Sequence, residues 1–78
     1  MEYFVYVLKN SEGVLYIGQT KDLNDRIIRH NTNRSKYTKN KGPYKLIYKE
    51  QFSSRSESMK REKELKSGKG RAWIKENF

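Results

Sequence analysis

The chain contains no cysteine, so no disulfide can hold its fold together. Its 78 residues predict one domain, residues 1–78. A chain of this size buries only roughly 60% of the surface that its unfolded form exposes. The lack of cysteine also excludes thiolate-bound zinc and is typical of a reducing compartment, and one histidine, His30, is too few for a structural zinc site. The fold must therefore come from a small apolar core.

No stretch of the chain approaches the roughly 18 consecutive apolar residues of a membrane span. Residues 1–9 contain an apolar run, but they have neither a basic leader nor a small-residue cleavage site. They therefore predict a strand and not a signal peptide. We expect a soluble, cytoplasmic protein that does not bind membranes.

Two apolar segments at the start of the chain predict a β-hairpin. Residues 2–9 and 14–19 are rich in β-branched and aromatic side chains, and residues 10–13 have the composition of a turn. Residues 44–52 predict a third strand. Residues 32–43 show no periodicity and predict an exposed basic loop.

The second half of the chain predicts two helices. Ser54 and Glu57, three residues apart, form a capping box that opens the first of them. Gly68 or Gly70 is expected to end it, and residues 71–78 predict a short terminal helix. With an earlier helix after the hairpin, the element order is β-β-α-β-α-α. This order predicts a small mixed α/β (α+β) domain.

The charge of the chain is strongly positive, at net +9, and it is unevenly distributed. One stretch contains eight basic residues and no acid, with three tyrosines among them (Tyr37, Tyr44 and Tyr48). Such a stretch suits a polyanion, because cationic side chains displace phosphate counterions. A basic face that only keeps the protein soluble is the alternative. The basic residues are Arg26, Arg29, Arg34, Lys36, Lys39, Lys41, Lys45 and Lys49.

The helix after the hairpin carries two candidate functional side chains. Asp22 is its candidate N-cap, and the helix should run to about Asn31. Arg26 and His30 lie four residues apart, on a face that borders the apolar stripe formed by Leu23 and Ile27. These two could stabilise charge on a phosphate and transfer a proton. From the spacing alone, an ion-paired Arg26 and a buried structural His30 remain the alternative.

Glu62 is the acid of the following helix that is predicted to point inward. At about 100° per residue with Met59 at zero, Leu65 falls near about 240° and Glu62 near about 300°, between two apolar positions. An unpaired buried carboxylate is costly, so it requires a cation, a donor or a metal ion. A functional carboxylate and a structural ion pair or rim position both remain open. The opposite face is predicted to carry two ion pairs: Glu57 with Arg61, and Lys60 with Glu64.

Two tyrosines on the hairpin, Tyr6 and Tyr16, could project from the same sheet face. That arrangement depends on the length of the loop, because a one-residue shift of register moves a side chain to the other face. Gly18 is stronger support for a site, since glycine inside a strand often marks close approach of another backbone or a ligand. Tyrosines in strands are otherwise packing residues.

Together these residues resemble the GIY-YIG nuclease family. The second half of the motif that names the family is present as Tyr16-Ile17-Gly18, and the first half as Phe4-Val5-Tyr6. Residues 16–31 are similar to the family's strand-to-helix segment, with its arginine at Arg26, and residues 56–66 to the segment that carries its acid, at Glu62. The resemblance covers nearly the whole chain. It is closest to the minimal single-domain members, such as the N-terminal domain of the excision-repair incision subunit.

The resemblance implies a three-stranded antiparallel sheet flanked by helices and a metal-dependent DNA endonuclease, acting in DNA repair or processing. It implies that Glu62 holds one Mg²⁺ or Mn²⁺ ion and that Arg26 stabilises charge on the scissile phosphate. Tyr6 or Tyr16 would activate or position the attacking water, and His30 would assist proton transfer. Five residues of the basic stretch would contact DNA: Arg29, Arg34, Lys36, Lys39 and Lys41.

The chain departs from the family pattern at several positions. Phe4 replaces a glycine, Gln19 stands where the repair branch commonly has lysine, and Asn77 matches the C-terminal asparagine poorly. No DNA-recognition domain accompanies the motif, so we expect low sequence specificity or a partner protein that supplies the target. The alternatives are a nucleic-acid-binding module with little or no activity, and RNA as the ligand with three tyrosines as stacking platforms.

Overall fold

The computed structural model describes residues 2–31 and 43–78. Three strands and three helices follow in the predicted order β-β-α-β-α-α, which confirms the α+β class. None of the described helices is long and apolar enough to cross a membrane. The elements are β1 (Tyr3–Asn10), β2 (Leu15–Thr20), α1 (Leu23–Asn31), β3 (Tyr44–Phe52), α2 (Arg55–Lys66) and α3 (Gly68–Asn77).

The three strands form one antiparallel sheet in the order β2-β1-β3, as the resemblance implied. The central strand β1 is buried without interruption from Val5 to Leu8, because both faces of the sheet are covered. On one face, Val5 and Val7 pack with side chains of α2 and α3. On the other, Tyr6 and Leu8 pack with side chains of α1. The sheet is thus the middle layer of three.

A short loop fixes the register of the hairpin. Asn10 N–H donates to the Val14 carbonyl at 3.1 Å, and the Asn10 side-chain oxygen accepts from the N–H groups of Glu12 and Val14. Gly13, with φ of 83°, supplies the left-handed residue that the turn requires. Residues 11–13 therefore form the loop. This register places Tyr6 opposite Gly18.

Helix α1 begins as the capping pattern predicts. The Asp22 carboxylate accepts a hydrogen bond from the Asp25 N–H at 3.0 Å, and the helix ends at Asn31. One turn later, Asp25 pairs with Arg29 at 2.9 Å. The carboxylate of Asp25, the residue before Arg26, is therefore engaged by Arg29.

Ser54 caps α2 as predicted, but neither glycine ends that helix. The Ser54 hydroxyl accepts from the Glu57 N–H at 3.3 Å. Helix α2 stops because Ser67 is extended, with φ of −69° and ψ of 166°. The Ser67 hydroxyl then accepts from the Gly70 N–H at 3.2 Å and opens α3, so both Gly68 and Gly70 lie inside that helix.

Replacing Gly70 with alanine is expected to lower the free energy of unfolding by about 1–3 kcal/mol or more. A Cβ there would lie 2.5 Å from the Leu65 Cα and 2.6 Å from the Leu65 carbonyl oxygen, so the two helices would have to separate. Gly68 is the matched control, since a Cβ there meets nothing within 4 Å. Urea midpoints of the two variants provide the test. Equal midpoints would contradict the close packing of α3 on α2.

Candidate active site

A buried pair of side chains, Tyr6 and His30, lies at the centre of the candidate site. Tyr6 is 1% exposed and His30 is 2% exposed, and the Tyr6 hydroxyl lies 3.1 Å from His30 Nε2. The ring of Tyr16, from the neighbouring strand, packs 4.3 Å from the imidazole and 6.2 Å from the Tyr6 ring, centroid to centroid. The prediction that Tyr6 and Tyr16 share a sheet face is confirmed.

Gly18 makes room for the Tyr6 hydroxyl. A Cβ at Gly18 would lie 2.6 Å from the Tyr6 oxygen and 3.1 Å from a ring carbon of Tyr16. Any larger residue would push the Tyr6 ring out of its position beside His30. The glycine therefore marks a close approach, as predicted, and the group that approaches is the phenol of its cross-strand partner.

Arg26 stands beside this buried pair with an exposed side chain. Burial is the main cause of the lowered pKa of His30, and the Arg26 guanidinium lowers that pKa further. The same guanidinium opposes the rise in the pKa of Tyr6, so its charge acts on both groups. Among residues 2–31 and 43–78, Arg26 forms no ion pair. The alternative of a structural ion pair at Arg26 is therefore wrong for the part of the chain described.

Glu62 lies at the edge of the site, and its side chain is 20% exposed. Burial is the main cause of the raised pKa of Tyr6, and the Glu62 carboxylate adds to the rise. Its ion-pair partner is Lys66, one turn along α2, at 3.1 Å. If Glu62 serves only in a structural ion pair, its partner is therefore the exposed Lys66 and not an inward-pointing arginine.

The predicted buried face of α2 was wrong in part. Met59 is 48% exposed, whereas Ser58 is fully buried. The Ser58 hydroxyl lies within hydrogen-bonding distance of the Gln19 side-chain oxygen, at 2.9 Å, and of the Arg55 carbonyl, at 2.8 Å. A small polar residue can approach the edge strand closely because that strand supplies its partner. Helical periodicity of apolar residues alone does not contain this information.

The predicted ion pairs on α2 were also wrong. Arg61 is only 29% exposed and pairs with Glu50 of β3 at 2.6 Å and with Glu64 at 3.4 Å. Glu57 instead accepts a hydrogen bond from the capping Ser54 hydroxyl at 2.9 Å. A partner on β3 is distant in sequence, so the spacing of charges along the helix could not identify it.

The two central groups are both neutral at physiological pH. Burial raises the pKa of Tyr6, with further upward effects from Tyr16 and Glu62 that exceed the opposing effect of Arg26. Burial, followed by the charge of Arg26, lowers the pKa of His30. A protonated phenol can donate a hydrogen bond to a neutral imidazole, and its proton can pass to the imidazole only while another proton reaches the phenol oxygen.

Acidification is expected to destabilise the fold through His30. The folded-state pKa is lowered, whereas the unfolded chain keeps the ordinary value of 6.5. As pH falls, the unfolded state binds the proton first, so this stabilising contribution is complete above about pH 6.5 and is lost below it. Urea midpoints at about pH 7.5 and about pH 5.5 should therefore differ more for the wild type than for His30→Gln. Equal differences would show that His30 does not carry the effect.

In the described part of the chain, three of the site residues line three different depressions. Arg26 lines a depression of about 360 Å³ with Arg29 and Arg55, whereas Glu62 and Tyr16 line two others. The sequence also predicts that Glu62, Arg26 and the Tyr16 hydroxyl line one concave surface. Within the described residues this prediction is wrong, because each of the three lines a different depression. Of the predicted DNA contacts, Arg29 is described and exposed. Four others lie outside the described residues: Arg34, Lys36, Lys39 and Lys41.

Asn31 and Tyr44 belong to this site, although the sequence did not indicate a role for either beside His30. The Asn31 amide holds the start of β3 through the Tyr44 backbone, accepting from its N–H at 2.7 Å and donating to its carbonyl at 3.1 Å. The Tyr44 ring is 4% exposed and lies 6.5 Å from the His30 ring. Tyr44 is therefore a packing residue, and its predicted use as an RNA-stacking platform is wrong.

The acids of the described residues fit a metal site that is completed by a substrate phosphate, and not one made by the protein alone. The described residues contain no group of three or more His, Cys, Asp or Glu side chains that could hold a metal ion. Mg²⁺ commonly keeps several waters and takes one or two carboxylates together with substrate phosphates. Glu62, with its carboxylate partly open to solvent, fits such an arrangement and not a cage made by the protein alone.

The fold and the Tyr-Arg-His-Glu site define a small α+β domain of the GIY-YIG class. The family described as the GIY-YIG catalytic domain matches residues 2–77, and the chain belongs to this family. Similar proteins include a UPF0213 protein of Staphylococcus epidermidis, 45% identical over 67 residues that cover 85% of this chain and 82% of that protein. A UPF0213 protein of Staphylococcus aureus is 46% identical over 66 residues, covering 83% and 80%.

A solved structure shows the same architecture. The solution NMR structure of the UPF0213 protein BH0048 from Bacillus halodurans is similar, with a TM-score of 0.59 and 34% sequence identity. The similarity covers 95% of this chain and 82% of that one.

Proposed function

We propose that this protein is a metal-dependent DNA endonuclease of low sequence specificity. One observation carries the proposal: the Tyr6 hydroxyl is bonded to His30, and its pKa responds to the charges of both Arg26 and Glu62. A proton acceptor thus contacts one hydroxyl, whose pKa is also affected by the charges of a cation and a carboxylate from two different helices. Hydrolysis of a phosphodiester can use all three, as an acceptor for the water proton, a cation for the phosphate charge and a ligand for a metal ion.

Tyr6 would relay a proton from the attacking water to His30. Its raised pKa rules out a standing phenolate at neutral pH, so the phenol cannot act as a simple base. The phenol oxygen would accept the water proton while its own proton passes 3.1 Å to His30 Nε2. The water oxygen would then bond to phosphorus, and the bond from phosphorus to the leaving ester oxygen would break. The leaving oxygen would keep the electron pair of that bond and take a proton from solvent, and His30 would return its added proton to solvent.

Arg26 and Glu62 would stabilise the charge of the phosphate group, Arg26 directly and Glu62 through a metal ion. The Arg26 guanidinium, which pairs with no acid among residues 2–31 and 43–78, suits the negative charge that grows on the non-bridging oxygens, because it can donate two parallel hydrogen bonds. Glu62 would hold the divalent ion. When bound, that ion would supply Lewis-acid stabilisation of the phosphoryl oxygens.

The net charge of +9 supports a polyanionic substrate. We propose that Arg29 and the basic residues between positions 32 and 43 contact the DNA backbone, which confers affinity without sequence readout. A partner protein would supply target choice in DNA repair or processing, and the proposed location is the cytoplasm.

A panel of end-labelled DNA substrates tests the proposal. Single strands, duplexes and branched junctions would be incubated with the protein in Mg²⁺, in Mn²⁺ and in a chelator. Metal-dependent products on any of these substrates support an endonuclease and identify the preferred structure. Binding to all of them without any product would contradict it.

A binding module without activity is the second candidate. Glu62 is already paired with Lys66, and the depression that it lines also contains Lys60 and Lys63. Three lysines close to one carboxylate oppose the entry of a divalent cation until a phosphate brings its own negative charge. On the enzyme hypothesis, metal binding should therefore be weak without DNA and tighten with it.

A further inference from the structure

A second cavity lies on the sheet face opposite to Tyr6 and Tyr16. It has a volume of about 590 Å³ and lies between α2 and α3, with Arg61, Lys63, Lys69 and Trp73 among its walls. This volume is within the range of ligand sites. Trp73 packs against Tyr48, which belongs to the core on the α2 and α3 face, whereas Tyr6 and Tyr16 belong to the core on the other face. None of the proposed catalytic residues lines this cavity.

The indole of Trp73 is a firmly held, partly exposed ring. It is 38% exposed, and it contacts Tyr48 and Phe78 edge-on, at centroid distances of 5.3 Å and 5.8 Å. The Arg61 guanidinium lies 5.9 Å from the indole centroid and is itself fixed by Glu50 at 2.6 Å. A flat ring and a planar guanidinium that are both held in place offer a surface on which a nucleobase can stack.

The charges around the indole suit a phosphate. The cavity wall includes three cations and one acid, Glu64, which is engaged by Arg61 at 3.4 Å. Within the described part of the chain, Lys63 and Lys69 form no ion pair, so both ammonium groups are available to an anion. An aromatic surface beside free cations favours a ligand that carries both a base and a phosphate.

We propose that the α2–α3 cavity binds an unpaired segment of the nucleic acid, with one base against Trp73 and a phosphate near Lys69. A base within a duplex is already stacked on both faces, so a single strand fits better than a double strand. The inference rests on the proposed function in assuming a nucleic-acid ligand. It goes beyond that function by assigning a second contact on the opposite face of the sheet.

Trp73 is the sole tryptophan of the chain and reports directly on this cavity. Its fluorescence should be quenched in a saturable manner by a single-stranded oligothymidylate, and much less by a duplex of equal length. Lys69→Glu should weaken this quenching severalfold and make the slope of log K against log salt shallower by about 0.7, the value for one phosphate contact of a single strand. Lys75→Glu is the matched control, because Lys75 is an exposed lysine of the same helix outside the cavity.

Fluorescence anisotropy of a labelled oligonucleotide, measured in the same titration, separates the outcomes. Binding without quenching of Trp73, equal quenching by duplex, or equal effects of the two lysine variants would overturn this inference and leave the proposed function intact. Absence of binding to any oligonucleotide would overturn both. A change of Trp73 fluorescence with protein concentration alone would assign this face to contact between copies of the chain.

Discussion

Replacing Glu62 with glutamine is expected to lower the rate of DNA cleavage by about 100- to 10,000-fold. The amide keeps the shape of the side chain but loses the charge that attracts a divalent ion, and metal ions contribute several kcal/mol at about 1.4 kcal/mol per tenfold in rate. DNA affinity should persist or rise slightly, because one negative charge is removed. Single-turnover cleavage and DNA binding, measured on the same preparations, provide the test.

Lys66→Met is the matched control for that variant. It removes the same 3.1 Å ion pair by deleting the cation, and it leaves the Glu62 carboxylate in place. If Glu62 acts on a metal ion, Lys66→Met should retain cleavage and bind Mg²⁺ more tightly. Equal loss of activity in the two variants, or loss of folding in both, would make Glu62 one half of a structural ion pair.

Tyr6→Phe is expected to lower cleavage by about 100- to 10,000-fold, the usual contribution of general acid–base catalysis. The change deletes the hydroxyl that lies 3.1 Å from His30 Nε2 and whose pKa is affected by Arg26 and Glu62, and it leaves the buried ring in place. Loss of the hydrogen bond should cost stability by only about 1 kcal/mol. The loss of rate should therefore far exceed any loss of folded protein at assay temperature.

Tyr16→Phe distinguishes the two tyrosines. The Tyr16 ring packs on His30 at 4.3 Å, so this variant keeps the packing and should lose less activity than Tyr6→Phe. The double variant Tyr6→Phe/His30→Gln should be no slower than the slower single variant, because both changes interrupt one proton path. A larger loss in Tyr16→Phe, or multiplicative effects in the double variant, would contradict the relay.

Local signals in the sequence identified the secondary structure. Asp22 and Ser54 both cap the helices that they were predicted to cap, since a side-chain oxygen three residues before a free N–H acts without help from the rest of the fold. Signals that depend on tertiary structure were missed. Ser67, and not Gly68 or Gly70, separates α2 from α3, and glycine at position 70 is required by the close approach of the two helices.

The candidate site was predictable in its residue types but not in its geometry. The spacing of Arg26 and His30 placed both on one helix face, and Gly18 indicated a close contact. The identity of that contact, the Tyr6 hydroxyl, depends on a hairpin register that the Asn10 side chain fixes. Neither periodicity nor composition contains such a long-range pairing. For the same reason the hydrogen bonds between the Asn31 amide and the Tyr44 backbone could not be predicted from the sequence.

Nicking of a supercoiled plasmid tests the central claim most directly. Wild-type protein and Glu62→Gln would be compared in Mg²⁺ and in a chelator, at protein concentrations that give equal DNA occupancy. We expect the wild type to convert supercoiled DNA to the open circle only when the metal is present, and the glutamine variant to leave it supercoiled while still bound. If the wild type binds the plasmid and never nicks it in any divalent metal, or if both proteins nick it equally, the site described here does not cleave DNA.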